Sequence, residues 1–284
     1  MISSVPFSNP SLRLYQCLVA LFLLFLLLPL AVVVGFSFHH ATYPSLPWQG
    51  ASWVWYFGDS APYIGLIHDS RLLDSLFTSI QVAFGVALIS TLLGLSNAHL
   101  LVRYRFRGKE LLSILMLIPL VIPGVILGIS ILVASSSLAN SVDDLWLWEW
   151  QWARPGLILV VLGQATFITS ITTLVLLARY RRFDPSLEEA ALNLGATPWR
   201  AFYAVTLPFL RPTIVSAFIV SFLMSFENFN TTLMLVGSDS PLTVEMYQRM
   251  REGSTPVINA VSVILMLGSG ILASGYIWTQ TKQQ

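Results

Sequence analysis

Apolar side chains gather into six runs, residues 17–38, 75–101, 111–134, 156–178, 212–236 and 257–278. Each reaches the roughly 20 residues that an α-helix needs to cross a hydrocarbon layer, so the pattern predicts an all-α polytopic membrane protein of six transmembrane helices. Residues 1–16 then form a short leading segment, residues 17–278 a six-helix membrane domain and residues 279–284 a short tail. The first run follows Arg13 as a signal peptide would, but it extends to Phe38 without a small-x-small cleavage pattern and is read as a retained span. An even number of spans puts both ends on one side.

Two runs contain residues that a lipid-facing helix tolerates poorly. In the third, Pro119 and Pro123, the latter followed by Gly124, each remove a backbone donor and crowd the preceding turn. A kinked or broken helix is expected, and its freed carbonyls need a neighbouring helix or a watery cavity. Pro123 is therefore placed beside a transport path or in a packing kink. In the fifth run, Glu227 is the only acidic residue inside any span, about 22 Å along the helix from Pro212 at ~1.5 Å per residue. An unpaired carboxylate at that depth costs roughly 3 kcal/mol or more. In a continuous helix Glu227, Asn230 and Thr231 share one face, with Asn228 and Thr232 adjoining. Such a stripe turns from lipid, either to line a path for cargo or to form a hydrogen-bonded knot in a dimer. Gln81 and Gln164 are expected to bond between helices, and His99 to be an interfacial residue.

Residues 179–211, between the fourth and fifth runs, hold the most strongly punctuated stretch. Asp184 and Pro185 supply an N-cap and a first-turn proline, and Ser186 with Glu189 matches a capping box in the adjacent register. Gly195 ends that helix as a C-cap glycine. Thr197 and Pro198 start a second helix, expected to run until Pro208 interrupts it. The prediction is a compact helix-turn-helix hung between two spans. Glu188 and Glu189 also complement the first helix dipole, worth roughly 0.3–1 kcal/mol.

Composition agrees with a membrane solvent: 55% of residues are hydrophobic and 10% charged, against roughly 25% charged in soluble domains. A net charge of +1 supplies no field for nucleic acid. The single cysteine, Cys17, excludes an internal disulfide and a cysteine-built metal site, and is expected to pack as a small hydrophobe. No histidine pair has ligand spacing, so no metal and no cofactor are expected in this chain.

Basic residues give the orientation. With the N-terminus inside, eleven of the 15 lysines and arginines fall in cytoplasmic segments, the bias that sets membrane topology. Both termini and residues 179–211 are then cytoplasmic. Seven of the nine tryptophans fall outside, Trp48, Trp53, Trp55, Trp146, Trp148, Trp150 and Trp152, as an aromatic belt or as the border of a docking surface for an external protein. Acids outside, Asp59, Asp69, Asp74, Asp143, Asp144, Glu149, Asp239, Glu245 and Glu252, form a solvated rim that would steer a cation.

Glu189-Ala190-Ala191, three residues, Gly195, nine residues, then Val205-Thr206-Leu207-Pro208 resembles the EAA loop of permease subunits of bacterial ABC importers, with Val205 in the isoleucine place. The resemblance implies a type I importer permease fold in the bacterial inner membrane, with the loop as a coupling helix-turn-helix for an ATPase. Glu188, Glu189, Ala190, Ala191, Leu194, Gly195, Ala196, Leu207 and Pro208 are its expected coupling residues. Implied partners are a second permease, two ATP-binding subunits that carry ATP and Mg, and a substrate-binding protein. No G-x-x-x-x-G-K-[ST] occurs here, so hydrolysis falls to another subunit. The stretches around Ser225, Val236-Gly237 and Pro256–Ala260 are similar to the second permease of spermidine/putrescine importers, where two acids stand in place of Glu227-Asn228. A polyamine or related organic cation is the expected cargo, with Glu227, Asn228, Asn230, Thr231 and Pro123 along its path. Aminoalkylphosphonates, opines, iron(III) and sulfate remain alternatives. An ion-coupled secondary transporter would use Glu227 for coupling, but no internal repeat is evident. An intramembrane hydrolase lacks an aspartate inside the spans.

Overall fold

The computed structural model describes residues 9–146, 151–253 and 255–281. Trp148, Glu149, Trp150 and Lys282 lie outside them. The chain is helical almost throughout: α1 (Asn9–Ser37), α2 (Val54–Phe57), a hairpin of β1 (Asp59–Ser60) and β2 (Tyr63–Ile64), α3 (Ser70–Arg103), α4 (Lys109–Val121), α5 (Gly124–Trp146), α6 (Leu157–Tyr180), α7 (Ser186–Asn193), α8 (Pro198–Ala201), α9 (Leu207–Phe226), α10 (Asn230–Leu235), α11 (Leu242–Gly253) and α12 (Val257–Thr281). Among the described residues, five helical stretches are long and apolar enough to cross a membrane, and Val257–Ile271 of α12 is a shorter apolar sixth.

Two compact units divide these elements. In one, built from Met1–Ser70 and Arg249–Gln284, α1 packs along α12. Most of α1 is exposed and apolar on all sides, Cys17 included. That corrects the expectation of a packed cysteine: a helix hydrophobic all round needs no protein neighbour when its solvent is lipid. Asp69 accepts two hydrogen bonds from Arg249 at 2.6 and 2.9 Å.

The second unit, Arg71–Gln248, has its core along α6. Near the start of α6, Val82 and Val86 of α3 meet Leu159, Val160 and Ile168, with Leu235 of α10. Near its end, Ala98 and Leu101 of α3 meet Leu176, Leu177, Tyr180, Phe183 and, from α9, Leu210 and Ala217. Small and hydroxylated side chains let α3 and α6 approach closely; Thr172 donates to the Ser90 carbonyl at 2.7 Å and Asn97 to Thr173 at 3.3 Å.

Each proline-rich region has its own outcome. Pro119 is held within α4, and the chain breaks instead at Ile122, whose ψ of 127° is extended as the position before Pro123 demands. The expected third span is thus α4 plus α5. Pro208, expected to end the second loop helix, does not. A π-helical turn over Phe202–Thr206 precedes it, in which the Leu207 N–H donates to the Phe202 carbonyl. That wider turn relieves the crowding a proline ring imposes on the preceding carbonyls, so helix runs on from Pro198 to Phe226.

Candidate functional site

Two regions of the larger unit hold the residues singled out from sequence. The first is the α7–α8 knob. Asp184 Oδ1 accepts the Ser186 N–H at 3.0 Å, and this bond to the anion holds the Asp184 carboxyl below its ordinary pKa. The expected capping box is not formed: α7 already includes Ser186, one residue too early for its side chain to cap the helix and bond forward to Glu189, and Pro185 takes the N-cap position. Gly195 has φ +88°, the left-handed conformation of a C-cap glycine. Thr197 caps α8, accepting the Arg200 N–H at 3.3 Å. Leu194, beside Gly195 at the turn, is 90% exposed, an apolar side chain offered almost whole to solvent. Glu189, Ala190, Gly195 and Pro208 are exposed, whereas Ala191, Ala196 and Leu207 are half-buried.

Glu188 faces the other way. Its carboxylate pairs with Arg103 at the end of α3 and accepts a hydrogen bond from the buried Thr206 hydroxyl in the π-helical turn. Arg103 also donates to Tyr180 Oη at 3.4 Å, and that phenol lies 2.8 Å from His99 Nδ1. The knob is therefore pinned to α3, α6 and the start of α9 through charge-assisted bonds. Sequence reasoning placed Glu188 with the docking residues and missed Arg103 altogether. Beneath the knob is a largely apolar cavity of about 730 Å3, lined by Leu95, His99, Arg103, Trp199 and Phe202 among others.

The second region is a meeting of two helix breaks. The predicted continuous helix through Glu227 is not observed: α9 stops at Phe226 and α10 starts at Asn230. The Asn228 side chain supplies the cause by competing for backbone donors. Its Oδ1 accepts the Thr232 N–H at 3.4 Å and its carbonyl accepts the Thr232 hydroxyl at 2.7 Å. The face shared by Glu227, Asn230 and Thr231 is lost with the helix. Thr231 is buried and donates to the Gly124 carbonyl at 3.3 Å, joining this break to the one after Pro123. One turn on, Gly128 lets α10 nest on α5, since a Cβ there would stand 2.9 Å from Met234 Cβ. Gln164 completes a buried knot, donating to Thr232 at 2.8 Å and accepting from Ser225 at 2.5 Å. Gln81, by contrast, is exposed.

Glu227, Asn230 and Pro123 remain exposed at the edge of this junction. The Glu227 carboxylate makes no hydrogen bond or ion pair with any described residue. Glu245, counted from sequence as a solvated acid, is instead buried and paired with Arg71 at 3.1 Å.

A helical membrane protein with a capped, surface-exposed knob and paired breaks within its spans is defined by this geometry, and comparison gives its kind. The chain belongs to the family of binding-protein-dependent transport system inner membrane components, whose model matches residues 88–279. It is 30% identical to the putrescine transport system permease protein PotI of Escherichia coli K12 over 264 residues, 92% of this chain and 89% of that one. It is 28% identical to the spermidine/putrescine transport system permease protein PotC of Haemophilus influenzae, over 86% of this chain and 87% of that one. In fold it matches a bacterial ABC transporter involved in alginate import, with a TM-score of 0.72 over 95% of this chain and 96% of that one at 15% identity. The chain has the type I ABC importer permease fold, and it is a transport component of that family.

Proposed function

We propose that this chain forms half of the path by which a small organic cation, foremost a polyamine such as putrescine or spermidine, crosses the bacterial inner membrane. A second permease subunit supplies the other half, a binding protein delivers cargo from outside, and two separate ATP-binding subunits hold ATP and Mg and hydrolyse the nucleotide. Both termini and the knob face the cytoplasm, in keeping with the distribution of basic residues. The knob, through Leu194, Gly195, Ala196, Glu189 and Ala190, docks on an ATP-binding subunit, and the Arg103–Glu188 pair carries its movement to α3 and α9. The relatives' named cargo supports the polyamine reading.

The observation that carries it from this chain is Glu227: a carboxylate without a described partner, on the exposed edge of two broken helices. A charge at that depth needs a counter-ion or a watery cavity, and a path for cations supplies both. An oxyanion such as sulfate would meet repulsion at the same place. The test is uptake by the purified complex in proteoliposomes loaded with ATP. Vanadate-sensitive accumulation of putrescine or spermidine, unaffected by ionophores, is expected; ionophore-sensitive uptake, or transport of an oxyanion with no polyamine uptake, would overturn the reading.

A further inference from the structure

We propose that residues 38–68 form a rigid aromatic cap that docks on the bilayer surface at the end of α1, with lipid headgroups and upper acyl chains as its partner. The cap is a built structure rather than a loose loop. Trp55 Nε1 donates to the His39 carbonyl at 2.7 Å, and Tyr56 Oη donates to Ser37 Oγ on α1 at 2.8 Å, both in buried surroundings. Gly65 N–H to Gly58 carbonyl at 2.9 Å and Leu66 N–H to Trp55 carbonyl at 2.9 Å close the β1–β2 hairpin over them.

What this framework displays is apolar. Leu46 is 78% exposed, Tyr43 62%, Trp53 61% and Phe57 59%, with Trp48, Ile64 and Ile67 also exposed. Across residues 38–68, Asp59 is the only Asp, Glu, Lys or Arg. The other exposed polar side chains are His40, Ser45, Gln49, Ser60 and His68, groups that lipid headgroups and interfacial water can bond without a charged partner. Large apolar side chains held rigidly outward are costly in water. Trp and Tyr, with an apolar ring and one polar end, suit the boundary between water and hydrocarbon.

Continuity points the same way. The exposed, all-round apolar α1 has lipid as its solvent, and its last turns run directly into the cap. Phe36 of α1 lies 5.8 Å from the His39 ring and 6.5 Å from the Trp48 ring; Phe38 lies 4.8 Å from Trp53. The half-buried last turn of α1 is thus packed directly against the cap, and no charged residue stands between Arg13 and Asp59, so the cap fixes the depth at which α1 ends.

The test uses the complete transport complex in nanodiscs of palmitoyl-oleoyl phosphatidylcholine, with Cys17→Ser and a nitroxide at Leu46→Cys or Phe57→Cys. Both positions are exposed, so the label displaces no core. Collision with dissolved oxygen should exceed collision with a water-soluble nickel chelate several-fold at both sites. Greater access to nickel at either site, meaning a surface in water, or protection from both reagents, meaning a protein cover, overturns the proposal. Should labelling prevent assembly, Trp53→Phe in the otherwise native chain reports the same contact. Loss of part of the tryptophan quenching by shallowly brominated phosphatidylcholine supports lipid docking; unchanged quenching overturns it.

Discussion

Arg103, the last residue of α3, and Glu188, in the first turn of α7, form an ion pair that fastens the knob to the membrane helices. Their side chains are only 22% and 17% exposed. Glu188 is therefore an anchor of the knob, and the proposed docking falls to the residues at its tip.

Removing one partner strands the other charge in a partly buried setting. Arg103→Gln should destabilise the knob by roughly 2 kcal/mol, between the fraction of a kcal/mol of an exposed pair and the ~3–5 kcal/mol of breaking a buried one. Proteolysis within residues 184–208 and the apparent melting temperature of the detergent-solubilised complex measure this. ATP hydrolysis should persist while uptake per ATP falls, and the double swap Arg103→Glu with Glu188→Arg should restore part of both.

Leu194→Asp changes a side chain with no packing to lose, so membrane insertion and melting temperature should be unaltered. Docking on the ATP-binding subunit should weaken, seen as loss of that subunit on co-purification and loss of cargo-stimulated hydrolysis.

Glu227→Gln removes a charge and keeps the shape. The apparent affinity for putrescine or spermidine should fall about tenfold, the equivalent of ~1.4 kcal/mol, with the complex still assembled on size-exclusion chromatography. Unchanged affinity would assign Glu227 to contact with the second permease.

Gly94 marks a close approach of α3 to α6. A Cβ there would stand 2.5 Å from Thr172 Oγ1, 2.9 Å from Thr172 Cβ and 3.0 Å from the Thr173 backbone nitrogen, atoms fixed by the helix and by the Thr172–Ser90 bond. Gly94→Ala should cost roughly 1–3 kcal/mol, the usual range for overpacking, read as a lower apparent melting temperature.

Asp184 contributes a pH dependence to the knob. Its pKa is lower folded than unfolded, because the Ser186 N–H bonds the anion, so its stabilising effect is complete above the unfolded value near ~3.9 and is lost as pH falls through the folded value. Asp184→Asn should make residues 184–193 exchange amide hydrogens faster than wild type at neutral pH. The difference should shrink as pH drops through the carboxylate range.

What was legible in the sequence was what local chemistry writes. Gly195 needs a left-handed backbone and Thr197 with Pro198 starts a helix, so the turn of the knob could be read residue by residue. The break before Pro123 follows from what proline does to its predecessor. Other features depend on residues far apart in the chain. Arg103 meets Glu188, and Gln164 meets Ser225 and Thr232, only once the helices pack, and no spacing rule links them. The break after Phe226 carries no proline or glycine; Asn228 makes it by bonding Thr232. Pro208 misled for a related reason, since a π-helical turn, invisible in residue type, carries the helix past it.

The most direct measurement is photocrosslinking from benzoylphenylalanine at position 194 in the assembled complex in native membranes, resolved by mass spectrometry. An adduct with the ATP-binding subunit, its yield changing on addition of ATP, is the expected result. An adduct with the external binding protein, or reaction of the knob with a membrane-impermeant reagent added from outside intact cells, would contradict the proposal that the pinned knob is where ATP-driven movement enters this chain.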